Sequence, residues 1–324
     1  MMKRSTWKYR VLFFAMIILL LNVIVDYAFK RILIERYSAH AAKDRFFKEI
    51  NKIPRFLIVG DSHILFSVNP DYFHNSFNYA GGNENYIQTY YKLKDIVEKQ
   101  KKIPEFILLP IDPSSFCAFR SERFINDAYW IRYVNFIEVS REKRNYHYLY
   151  RYFMARFASY AGNYAYLYNF INPLSSYFNS EHSGFVPRHD NFKLDRNKEK
   201  SARHQALLYL GDHKYFDHDM EVYFCRMMDL CKNHGIGVFL VRIPLSEAYF
   251  RNIKKLVPVN DLYQKVDSLT KSYPNVHEIW KFQKAYFGHP DYFSNPDHMN
   301  VKGAKRFSIA LYKEILSITD PTKQ

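Results

Sequence analysis

Between residues 54 and 316, short apolar runs alternate with longer stretches of mixed character. Phe56-Leu-Ile-Val59, Phe106-Ile-Leu-Leu109 and Val238-Phe-Leu-Val241 are nearly all apolar and rich in β-branched or aromatic members. Such runs predict strands buried on both faces, as in a parallel sheet. Ser76–Ala80 and Val276–Trp280 read as two further short strands. Helices are predicted over about 84–100, 219–234, 257–273 and 301–317, the last with Phe307, Leu311 and Ile315 facing inward. Alternating strand and helix predicts a parallel sheet with helices on both faces, a three-layer α/β/α sandwich. The alternation breaks at about 118–215. That stretch reads as an insertion, helical and crowded with Tyr and Phe from Asn145 to Tyr177, then a polar exposed loop from Glu181 to Ser201.

The amino-terminal pattern differs. Lys3, Arg4, Lys8 and Arg10 precede Val11–Val25, which has no charge and one strongly polar residue, Asn22; apolar character continues past Asp26 to Phe29. About 19 residues of helix cross a bilayer core, so 11–29 is predicted to be a transmembrane signal anchor. The basic start puts residues 1–10 in the cytoplasm and the bulk outside; Lys30, Arg31 and Arg36 just after the span oppose that bias. Ala39-His-Ala41 has the look of a cleavage site but lies beyond the apolar run, across a charged stretch. An uncleaved anchor is therefore preferred to a removed signal peptide. Residues 30–52 read as a helical stalk and 53–324 as the main domain.

The chain of 324 residues has 48% hydrophobic and 24% charged residues, as a globular protein with a real core does. Its formal charge of +15 favours anionic neighbours. No nucleic-acid module is recognisable, so a nucleic-acid partner is not expected. Cys117, Cys225 and Cys231 lack metal-type spacing and read as free thiols. His204, His213 and His218, with Asp212, Asp217 and Asp219, invite a metal site, but the spacing does not put the imidazoles on one helix face. No metal and no cofactor are expected.

Candidate chemistry sits where strands end. Ser62 follows the first strand in Gly60-Asp-Ser-His63, at the sheet edge where open α/β folds present ligands. A serine nucleophile needs a base, and His298 in Asn295-Pro-Asp-His-Met-Asn300 supplies one. Gly81-Gly82 ends the second strand before a helix, a turn whose backbone N–H groups can hold an oxyanion. Gly-Asp-Ser-His early and Asp-His-Met-Asn-x-x-Gly-Ala late resemble the motif pair of the SGNH, or GDSL-like, hydrolase superfamily, over about 54–316. The chain looks like the membrane-anchored bacterial members linked to acylation of surface polymers.

The resemblance implies a flavodoxin-like sheet order and a serine esterase or O-acyltransferase. It implies Ser62 as nucleophile and His298 as base, with the N–H groups of Ser62 and Gly82 (Gly81 next) as oxyanion donors. It further implies an acylated envelope polysaccharide or other ester as substrate, the inner membrane as location, a periplasmic or extracellular catalytic domain and a membrane acyltransferase as possible partner. Two departures stand out. The family's second oxyanion donor, an asparagine after the third strand, is replaced by Asp112, a turn or capping candidate; Asn83 or Asn85 could substitute. The triad aspartate, three residues before the histidine, is replaced by Asn295. A Ser–His dyad, Asp297 as the acid, or Asp291 folding in all fit the sequence. A non-catalytic accessory domain that binds polymer or an acyltransferase is the alternative function; a soluble-substrate lipase or thioesterase is a third.

Overall fold

The computed structural model describes residues 3–50, 52–121, 132–142, 146–161, 163, 167, 170–171, 183–211 and 214–320. The chain divides into two compact units: Met1–Asp44 with Ile125–Phe178, and Arg45–Phe124 with Asn179–Gln324.

The second unit contains a parallel sheet of five strands, β1 (Phe56–Ile58), β2 (Ser76–Asn78), β3 (Phe106–Pro110), β4 (Gly237–Val241) and β5 (Val276–Ile279), in the order β2-β1-β3-β4-β5. The three apolar runs and the two further short stretches are all strands. β1 pairs with β2 on one side and β3 on the other, Ile58 lying opposite both Asn78 and Leu108. The order therefore reverses at β1, and the crevice outside the carboxyl ends of β1 and β3 is the switch point where such folds bind ligands. Helices cover both faces. Side chains alternate across a strand: Phe56 and Ile58 join Phe307, Leu311 and Ile315 of the Val301–Thr319 helix in one core, while Leu57, Ile107, Val238 and Leu240 are equally buried on the other side.

Local chemistry sets the helix starts. Asn85 and Gln88 form a capping box at the Tyr86–Lys94 helix, Asp217 caps His218–Asn233, and Asn300 accepts from the N–H of Gly303 at the start of the last helix. Asp217, one of the acidic residues near His218, is thus a capping residue. Asp212 and His213 lie outside the described residues. Cys117, Cys225 and Cys231 are free thiols.

The stretch grouped with the insertion divides between the units, with 179–215 belonging to the sheet unit. Lys198–Leu210 is a helix packed against Glu247–Leu256. The exposed loop expected at 181–201 is corrected: Phe185, Val186 and Phe192 are buried, the last two in the sheet's core. Phe185-Val186 and Phe192 are a pair and a single residue in an otherwise mostly polar stretch, so no periodic pattern betrays them. In the expected stalk, Ala39–Glu49 is helical and Phe47 stacks on Tyr79 at 4.9 Å.

The first unit holds the Lys3–Phe29 helix, which continues through a π turn at Lys30–Ile34. Trp7–Tyr37 is long and apolar enough to cross a membrane, its most apolar 18 residues having a mean hydropathy of 2.5. Phe136–Glu142 and Tyr146–Phe157 are helices of the same unit. Of the aromatic stretch 145–177, the described part is 146–161, 163, 167 and 170–171.

Candidate active site

Ser62 opens a short helix, Ser62–Ser67, directly after the β1 turn. The turn demands glycine at 60: φ is +122°, and a Cβ there would lie 2.4 Å from the Pro110 ring. Asp61 caps the helix by accepting from the His63 N–H at 3.0 Å. His298 arrives from the loop before the last helix, and its Nε2 lies 2.9 Å from Ser62 Oγ. Residues 236 apart in sequence thus meet at the carboxyl edge of the sheet. The His298 ring packs edge-on against Phe66 at 5.0 Å.

The other face of His298 has two neighbours. Asn295 Oδ1 accepts from the backbone N–H of His298 at 2.8 Å and of Asp297 at 3.3 Å. This fixes the amide's orientation and turns its Nδ2 toward His298 Nδ1 at 3.0 Å. Asp297 Oδ1 lies 3.3 Å from the same nitrogen, buried and without a hydrogen-bond partner. Asp291 is elsewhere: its carboxylate pairs with Lys302 on the surface.

Behind Asp297 runs a buried ionic network that the sequence did not reveal. Asp297 Oδ2 accepts from His63 Nε2 at 3.2 Å and from Gln205 at 3.1 Å. His63 Nδ1 faces Asp112 Oδ2 at 2.5 Å. Asp112 Oδ1 accepts from the Ser114 N–H and hydroxyl, closing a turn, one of the two roles expected for it, and Arg120 donates to Asp61 at 2.7 Å. Burial by itself would push the His63 imidazole down, but Asp112 and Asp61, with hydrogen bonds to Asp112 and Asp297, hold it well above its ordinary value. His63 is therefore an imidazolium donating from both nitrogens. Asp297, despite burial, is lowered to about 2 by His298 and by its hydrogen bond to His63. His298 is lowered to about 4, by burial first and by the nearby His63 and Arg188 charges, and is neutral at pH 7. His63 and Asp112 follow neighbouring parallel strands, and that adjacency was the one available signal for their meeting.

His63, Asp297 and His298, and separately Asp61, His63 and Asp112, have ligand atoms close enough to share a metal ion. Both groups depend on His63, whose two nitrogens already face carboxylates.

The oxyanion candidates separate. The Gly81 N–H is spent on the Gly60 carbonyl at 2.9 Å. Gly82 is exposed, with open space where a Cβ would stand. Ser62 is in the first helical turn, where N–H groups have no intrahelical acceptor. Asn85 is committed: its Oδ1 caps Gln88 and its Nδ2 donates to the Arg120 carbonyl. Asn83 is exposed with φ +56°.

No protein-family model matches the chain, and no curated protein does. Among solved structures, it is similar to a GDSL-like lipase from Bacteroides thetaiotaomicron, with 10% identity and a TM-score of 0.40, over 86% of this chain and 99% of that one.

Proposed function

We propose that the protein is a membrane-anchored serine esterase or O-acyltransferase. The contact between Ser62 Oγ and the neutral, buried His298 Nε2, at the switch point of the sheet, supports this reading most. In the reaction, His298 Nε2 takes the Ser62 proton as Oγ adds to an ester carbonyl. The N–H groups of Ser62 and Gly82 receive the oxyanion. Collapse expels the alcohol, which takes the proton from His298, and leaves the acyl group on Ser62. A second nucleophile then enters the same way: water makes the enzyme a hydrolase, a sugar hydroxyl a transferase. Asp297 serves as the acid beside His298 Nδ1, held in place by His63 and Gln205.

The apolar amino-terminal helix, the charge of +15 and the motif pair favour an acylated envelope polysaccharide as substrate, with the catalytic domain on the outer side of the inner membrane. A membrane acyltransferase would then deliver or receive the acyl group. A second reading, a non-catalytic accessory domain, is favoured by one observation: Asn295 presents a donor to His298 Nδ1, which selects the tautomer with its proton on Nε2, facing Ser62.

A fluorophosphonate probe separates the two. The full chain in detergent should gain the adduct mass on Ser62, and His298→Ala should abolish it. A folded protein that never labels would sink the catalytic reading and leave the accessory one.

A further inference from the structure

The first unit carries an aromatic surface that the proposed chemistry does not use. The Tyr146–Phe157 helix has one face turned into its own unit, where Tyr152 and Ala155 are buried. Its other face is exposed and aromatic: Tyr146, Tyr150, Phe153 and Phe157 are 82%, 58%, 45% and 61% exposed. Their spacing of four, three and four residues puts them on one stripe. Phe153 and Phe157 stack, with centroids 6.2 Å apart. A contiguous stripe of this kind marks an interaction surface, since water-facing helices carry large apolar residues singly.

The neighbourhood of the stripe identifies its partner. The end of the helix is fastened to the apolar amino-terminal helix. Asp26 accepts from the Ser159 N–H at 2.6 Å and from Lys30 at 2.6 Å, and Lys30 also donates to the Arg156 carbonyl at 2.5 Å. Asn22 Nδ2 donates to the Tyr160 hydroxyl at 2.7 Å. Asn22 and Asp26 are the polar residues in the second half of the apolar run. A polar group within a bilayer needs a protein partner, and residues 156–160 supply it. Those contacts set the aromatic helix at the carboxyl end of the span.

We propose that the stripe lies in the headgroup region of the same bilayer, as a second, interfacial membrane contact beside the anchor; this rests on the anchor reading above. Tyr and other aromatics favour that layer, apolar body down and hydroxyl in the headgroups. The flanking sequence carries Arg141, Lys143, Arg144, Arg151 and Arg156 against Glu138 and Glu142, which suits anionic lipids.

The test places the full chain in vesicles of phosphatidylethanolamine and phosphatidylglycerol, with Trp7, Trp130 and Trp280 replaced by Phe. Ile18→Trp reports on the span, and Phe153→Trp, an aromatic replacement at a 45% exposed side chain that rests on Phe136 and Phe157, reports on the stripe. Quenching by lipids brominated along the chain is read for each, with circular dichroism as a check on folding. The expected result is that both reporters are quenched. Phe153→Trp should respond most to shallow bromines, with blue-shifted emission, and Ile18→Trp to deep ones. A quenched Ile18→Trp with an unquenched, water-like Phe153→Trp overturns the stripe and leaves the anchor; two unquenched reporters overturn both.

Discussion

At His298 two neighbours compete for one nitrogen. Asn295 offers Nδ1 a donor, and Asp297 Oδ1 offers it an acceptor that has no other partner. Only the Nδ1–H tautomer leaves Nε2 free to take the serine proton, and only a carboxylate stabilises the imidazolium that follows. Asn295→Asp keeps the oxygen that caps the His298 and Asp297 N–H groups and removes the opposing donor. It should raise ester turnover and lift the His298 pKa, so the acid limb of the kcat/KM profile, expected at about pH 4 in the wild type, should move upward. Turnover unchanged or lower in that variant would argue against His298 as base. His298→Ala should cost about 10²–10⁴-fold in kcat, the usual weight of a positioned base. His63 acts one step further back, and its folded pKa is raised above the unfolded 6.5. Its contribution to stability is full below pH 6.5 and is lost as pH rises through the folded value. His63→Gln should flatten that alkaline decline, as followed by urea unfolding at several pH values, and should lower kcat more than it changes KM. A decline as steep as wild type would show that another group carries it.

At the scale of elements, the loop that brings His298 to Ser62 is held by its junction with the last helix. Asn300 caps that helix through the Gly303 N–H and donates to the carbonyls of Asp291 and Phe293. A Cβ on Gly303 would lie 2.2 Å from the Tyr292 carbonyl oxygen. In an open helix, alanine would gain about 1 kcal/mol over glycine. Here Gly303→Ala must push the loop away, so it should lower the melting temperature and weaken probe labelling of Ser62 together. A more stable, fully labelled variant would contradict this packing. The same junction was legible in advance, because Asn before an amphipathic run is a helix-start signal. The Lys198–Leu210 helix, which delivers Gln205 to Asp297, was not legible. Its apolar residues crowd into Ala206–Leu210 and so point to every side instead of marking one face, and it owes its position to the Glu247–Leu256 helix beneath it.

At the scale of the whole molecule, the apolar amino-terminal helix has a second role, as a packing partner. Asn22, Asp26 and Lys30 supply side-chain partners to the segment 156–160. A chain starting at residue 31 loses those partners, while the sheet unit keeps its own core. Its segment 146–161 should exchange amide hydrogens and be cut by proteases faster than in the full chain, with labelling of Ser62 unchanged. Equal protection in both chains would mean that these contacts contribute nothing to holding the segment.

The sequence by itself determined the sheet and the apolar amino-terminal helix. Buried parallel strands are continuous apolar runs, a membrane-length helix is a still longer one, and both are written in consecutive residues. It also marked Ser62 and His298, because each stands in a local turn motif. Only the tertiary structure decided what surrounds them. Asn295 and Asp297 compete for His298 through the path of a loop, and His63, Asp112 and Arg120 form one buried network because parallel strands bring their carboxyl ends to the same edge. Ion pairs between residues far apart in the chain leave no period and no spacing in the sequence; they exist only once the sheet has set which ends are neighbours.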